Sequence, residues 1–106
     1  MKDLCLANHD FLYELVDGEN TRQLMKWGIQ DRSPFEWMVY LTEEVGELAE
    51  AISEHAYRHA PPDGVVTEAI QVATLALKIA EMYSEEFVEL TMQPPPEEDQ
   101  NADHRA

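Results

Sequence analysis

Residues 35–52 admit one regular structure. On a wheel of about 100° per residue, Trp37, Leu41, Val45, Leu48 and Ile52 fall within one narrow apolar stripe. That spacing predicts an amphipathic helix with a single core-facing side. Glu44 falls at the edge of the stripe, and Glu47 lies on the same flank one turn along. A carboxylate leaning toward a core is strongly unfavourable unless something positive meets it. Glu43, on the solvent side of Glu47, reaches the same place through its (i, i+4) relation. Only 7 basic residues stand against 22 acidic ones. The expected counter-charge is therefore a metal cation rather than a side chain.

The neighbouring segments follow from their punctuation. Ser33-Pro34-Phe35-Glu36 opens the helix with three agreeing signals. Ser33 is a good N-cap, Pro34 suits the first helical position, and Glu36 completes a capping box. Upstream, Leu4, Phe11, Leu12, Leu15, Val16, Leu24 and Met25 have helical spacing. Asp17-Gly18 weakens the middle of that segment, so one long helix or two short ones are open, and Gly28 is its expected stop. Downstream, Pro61-Pro62-Asp63-Gly64 forces a turn, with Asp63 the expected cap of a third helix. That helix spans about residues 64–82, with an extension toward Leu90 open.

The third helix is apolar on two faces. With Glu68 at zero, Val72, Leu75, Ile79 and Met82 gather around it, while Ile70, Ala73 and Leu77 lie opposite. Gln71, Thr74, Lys78 and Glu81 form a polar strip between them. A helix apolar on two sides is buried on two sides, and so short a chain hardly covers both, which points to a dimer. From Gln93 onward Pro94-Pro95-Pro96 and a run of acidic and small residues carry no periodicity. The expected organisation is one all-α domain over residues 1–92 and a disordered acidic tail over 93–106.

Composition excludes some classes. A formal charge of −15 argues against nucleic-acid partners and anionic membranes, because phosphate neutralisation needs Lys and Arg clusters. A phosphate compound is still accessible through divalent cations. The lone Cys5 forms no internal disulfide, and there is neither a signal-like region nor an 18-residue apolar run. A soluble, cytoplasmic protein is expected. His55 and His59, four apart near a helix end, read as end charges rather than a transition-metal pair.

Glu44 and Glu47 on one helix with Glu68 on the next would give hard oxygen ligands converging from a rigid scaffold. Such a set suits Mg²⁺, with Mn²⁺ as the alternative, and leaves positions for a phosphate substrate. Glu50, Glu54, Glu81, Glu85, Glu86 and Glu89 read as solvated acids.

Glu43-Glu44-Val45-Gly46-Glu47, followed after a turn by Glu68-Ala69-Ile70-Gln71, resembles the EExxE…ExxD pattern of the MazG-like nucleoside triphosphate pyrophosphohydrolases. Arg22-Gln23-Leu24-Met25-Lys26-Trp27-Gly28-Ile29-Gln30, leading into Trp37 and Leu41, is also similar to small single-domain members. The resemblance covers roughly residues 22–82. It implies a helical bundle completed by dimerisation, as a homodimer or homotetramer. It also implies Mg²⁺-dependent hydrolysis of a (deoxy)nucleoside triphosphate to the monophosphate and pyrophosphate. By position, Glu44, Glu47 and Glu68 become metal ligands, and Glu43 a supporting group or the base that orients water, with Glu44 beside it in the catalytic pair. Gln71 stands where the family pattern usually has Asp, so a fourth ligand is an amide oxygen and one negative charge is lost.

Three further residues are candidates for substrate contact. Lys78 lies on the Gln71 flank about two turns along and is placed to meet a phosphate, with pairing to Glu81 or Glu85 the plain alternative. Gln30 and Trp27 are candidates for hydrogen bonding to a base or stacking on it; Trp37 reads more simply as core. The competing class is a non-catalytic helical interaction module, or a degenerate member that binds nucleotide or metal without turnover. An acidic nucleic-acid mimic is a third reading, and it requires acids spread over one exposed face rather than converging inward.

Overall fold

The computed structural model describes residues 6–92. The expected tail over 93–106 lies outside the described residues, as do Cys5 and His104. Four helices follow in order: α1 His9–Trp27, α2 Pro34–Arg58, α3 Asp63–Met82 and α4 Ser84–Met92. No strand occurs among the described residues, so the all-α class holds.

α1 runs through Gly18 without a break, which settles for one long helix. It stops at Gly28, whose φ of 71° lies in the region that glycine tolerates best, and whose N–H donates to Leu24 O at 2.8 Å. α2 opens on the full capping box: Glu36 N–H donates to Ser33 Oγ at 3.2 Å, and Ser33 N–H to Glu36 Oε1 at 2.9 Å. That backbone donor holds the Glu36 carboxyl below the usual range. At its other end His59 takes a left-handed conformation, and His55 Nδ1 donates to Ala60 O at 2.6 Å. Both histidines thus serve the helix end.

Two boundaries differ from expectation. Asp63 does not cap α3: Pro62 occupies the N-cap position with helical dihedrals, and no side-chain cap bond forms. Asp63 instead falls in the first turn, where its charge complements the helix dipole. The extension toward Leu90 is a separate helix, because Tyr83 breaks the ladder and Ser84 Oγ donates back to Glu81 O at 2.8 Å.

α3 is the centre of the packing, with α1 and α2 set against it, while α4 follows it as a largely exposed helix. The Cα atoms of α1 and α2 nowhere come within 8 Å of one another. A cleft therefore opens between α1 and α2, floored by α3. Into it α2 turns Trp37, 7% exposed. The inward side of α2 is rotated from the middle of its apolar stripe toward Glu44: Leu41, Glu44, Leu48 and Ala51 are half-buried, whereas Met38, Val45 and Ile52 stand exposed as a ridge.

α3 is rotated in the same sense. Its polar strip is turned inward together with the face that carries Glu68, Val72 and Leu75: Thr74 is 2% and Leu75 6% exposed, while Leu77 opposite is 52% exposed. Polar groups can lie there because each finds a partner. Thr74 Oγ1 donates to Ile70 O at 2.8 Å, and Lys78 Nζ donates to Gln23 Oε1.

Candidate metal centre

At the edge of the cleft α2 and α3 bring three carboxylates together. Glu44 and Glu47 project from consecutive turns of α2, and Glu68 faces them from α3. One oxygen from each lies within 4.8 Å of the other two. Glu44 and Glu68 are half-buried and Glu47 is exposed. At a metal–oxygen distance of about 2.1 Å, octahedral ligand oxygens stand about 3 to 4 Å apart. Small side-chain adjustments close this set around Mg²⁺ or Mn²⁺, and the donor chemistry is the hard oxygen these ions take.

The electrostatics leave the cluster wanting a cation. The Glu44 carboxyl is pushed up to about 7. Burial is the main cause, followed by a hydrogen bond shared with the Glu68 carboxyl and the charges of Glu47 and Glu68. Without a cation Glu44 gives up its proton only near pH 7; a bound cation would displace it.

Gln71 joins the cluster from α3. Its amide end lies against Glu44 and Glu68. With the nitrogen turned toward them it donates to Glu68 Oε2 at 3.0 Å and to Glu44 Oε2 at 2.7 Å. Turned the other way, it presents an oxygen to a cation held by the same carboxylates. An amide, unlike an aspartate, serves both the metal-free and the metal-filled state.

Glu43 is exposed on α2 and is not among the converging oxygens. Besides bonding Gln23, the Lys78 ammonium lies 5.4 Å from the centroid of Trp37. Burial holds the Lys78 amine below its usual range. Gln23 in turn donates to Glu19 Oε2 at 2.7 Å, and Glu19 takes the Arg22 guanidinium at 2.9 and 2.7 Å. That pairing lowers the Glu19 carboxyl and raises the Arg22 guanidinium. The chain Arg22–Glu19–Gln23–Lys78 ties α1 to α3.

The cleft itself is a cavity of about 230 Å³ that reaches from Glu44 and Gln71 to Trp27, Gln30, Arg32, Trp37 and Tyr40. Trp27 is half exposed there, with Arg22 and Lys26 over its ring at 5.8 and 4.7 Å. Arg32, from the connector between α1 and α2, lies 4.9 Å over Tyr40. Its Nε is buried without an acceptor, which leaves a donor unsatisfied at about 1–3 kcal/mol. Glu19, Arg32 and Tyr40 escape the sequence reading, and Gln23 enters it only within the run 22–30, since periodicity marks apolar faces and these polar side chains meet through packing between segments. The signal that points to Arg32 is a cationic residue in a connector whose i+4 acid, Glu36, is already committed to the Ser33 capping box.

Comparison with profiles of known families, with curated proteins and with solved structures finds no match.

Proposed function

We propose that this chain hydrolyses (deoxy)nucleoside triphosphates to the monophosphate and pyrophosphate with Mg²⁺ or Mn²⁺, as its resemblance to MazG-like pyrophosphohydrolases implies. The observation that carries the reading is the convergence of Glu44, Glu47 and Glu68, with Glu44 lining an aromatic cleft. Phosphoryl transfer asks for positioning and charge neutralisation more than for covalent chemistry. The divalent ion supplies that neutralisation when bound. Glu44, Glu47, Glu68 and Gln71 would hold it. The cleft walls Trp27 and Gln30 take the nucleoside. Glu43, exposed and outside the cluster, is free to orient the attacking water at the α-phosphorus. Lys78 bonds Gln23 and faces Trp37, which leaves further ammonium donors for a phosphate.

A nucleotide panel assayed for pyrophosphate release with Mg²⁺ or Mn²⁺ tests the reading. Release of orthophosphate instead, or no release from any triphosphate, overturns it. The metal-binding module without turnover is the second reading, and Gln71 favours it: its amide already satisfies Glu44 and Glu68 in the absence of any ion.

The same reading includes a homodimer or homotetramer in the cytoplasm. Met38, Val45 and Ile52 on α2, Leu77 on α3 and Phe87, Val88 and Leu90 on α4 are exposed, and apolar ridges of this extent fit a second copy better than water. Sedimentation at micromolar concentration is expected to give a dimer or larger; a compact monomer sinks this part. No helix among the described residues is long and apolar enough to cross a membrane.

A further inference from the structure

We infer that Arg32 grips the pyrophosphate end of the substrate, which makes it a substrate-binding residue outside the carboxylate cluster; this rests on the nucleotide reading above. Diphosphate carries negative charge into a cavity already lined by Glu19 and Glu44. Two cationic side chains line that cavity, Arg22 and Arg32. Glu19 holds both edges of the Arg22 guanidinium. Among the described residues Arg32 makes no ion pair and no hydrogen bond, and its buried Nε has no acceptor. Glu36, four residues along, spends its carboxylate on the Ser33 N–H. Lys26 faces Trp27 on α1 and Lys78 faces Gln23, and neither lines this cavity.

Position fits the role. Arg32 lies over Tyr40, and Tyr40 stands one helical turn, about 6 Å along the axis, before Glu44. A phosphorus held at Glu44 and Glu68 therefore sends the rest of a polyphosphate within reach of the guanidinium. Arginine offers a planar fork of donors that matches phosphate oxygens. The guanidinium lines the cavity with no acidic partner of its own among the described residues, and the ligand brings one.

The test uses the full chain loaded with Mg²⁺, titrated with inorganic pyrophosphate and separately with nucleoside monophosphates. Trp27 and Trp37 line the cavity and report binding by fluorescence. Arg32→Gln is expected to weaken pyrophosphate roughly tenfold or more, with Arg32→Lys intermediate. Monophosphate and Mg²⁺ affinities are expected to stay as in the wild type, as is the far-ultraviolet circular dichroism. Turnover of triphosphates falls by a similar factor whichever base they carry. Unchanged pyrophosphate affinity overturns the inference, and so does equal weakening of pyrophosphate and monophosphate. A loss that depends on the base makes Arg32 a base reader and overturns it too. A wild type that binds pyrophosphate yet hydrolyses nothing sinks the hydrolase reading alone; one that binds neither ligand sinks both.

Discussion

Two charged clusters flank the cleft, and they are built on opposite terms. On the α1 side, Glu19 meets Arg22 and Gln23, Gln23 meets Lys78, and the Glu19 carboxyl is held below its ordinary range. On the α2 side, Glu44 meets Glu47 and Glu68, and its carboxyl is pushed up to about 7. Both involve half-buried acids against the same central helix. One is complete within the chain, while the other has acids only, bridged by a neutral amide. A complete cluster acts as a tie between helices. An incomplete one is a demand for something from outside.

The sharpest way to break this contrast is to remove one acid from the incomplete side. Glu68→Gln is expected to lower turnover roughly a hundredfold or more. The metal-free fold is expected to stay intact or gain slightly, because a repulsive charge goes while the shape remains. Steady-state kinetics with a metal-free melt reads both quantities. Wild-type turnover, or a sharply lower melting point, makes Glu68 part of a structural tie like Glu19.

The matching change on the complete side has the opposite signature. Gln23→Leu leaves Glu19 and Lys78 half-buried without their shared partner and is expected to cost about 1–3 kcal/mol of stability. Urea unfolding gives the loss, and Mg²⁺ affinity measured alongside is expected to hold. Unchanged stability would mean that the Gln23 link contributes nothing net.

The two clusters also respond oppositely to pH. Glu44 has its folded value raised from 4.5 to about 7, so the protonated form favours the metal-free fold. Its contribution is fully present below about pH 4.5 and is lost as pH rises through about 7. Glu19 has its folded value lowered, so its contribution is present above the ordinary carboxylate range and is lost as pH falls through the lowered value. Melting points of metal-free protein from pH 5 to 8 are expected to decline, and Glu68→Gln to flatten the decline. Saturating Mg²⁺ displaces the proton and reverses the trend, adding about 2.7 kcal/mol at a hundred times its dissociation constant. A metal-free profile flat across that range contradicts the raised Glu44.

What could be read in the sequence follows the range of the forces involved. The capping box at Ser33 and the stop at Gly28 are local, so four or five residues suffice to find them. Glu44, Glu47 and Glu68 were legible because helical periodicity places an acid against an apolar stripe. The rotation of α2 toward Glu44 and the inward turn of Thr74 were not, because they depend on which partners α1 supplies. Gln23 lies 55 residues from its partner Lys78, and Arg32 shares its cavity with Gln71 and Leu75 of another helix. No pattern within a helix announces such pairs. Asp63 misled because a good capping residue followed two prolines, and Pro62 began the helix first.

The smallest expected effect tests the bridge itself. Gln71 is the only member of the incomplete cluster that carries no charge, and the amide lets it donate to Glu44 and Glu68 when no ion is present. Gln71→Asp exchanges that donor for a further carboxylate. In the metal-free protein the change removes the two N–H contacts and adds repulsion, so the melting point is expected to drop modestly. In the metal-filled protein the added charge faces a cation, and Mg²⁺ affinity is expected to rise about tenfold, equivalent to about 1.4 kcal/mol. The two shifts have opposite signs because one side chain is judged against two different neighbours, acids alone or acids around a cation. Calorimetric titration with Mg²⁺ and a melt in chelator measure them in the same preparation. If neither moves, Gln71 lies outside the site. If stability falls without any gain in affinity, the amide is a structural bridge like Gln23, and the contrast between the two sides of the cleft narrows to a difference in charge alone.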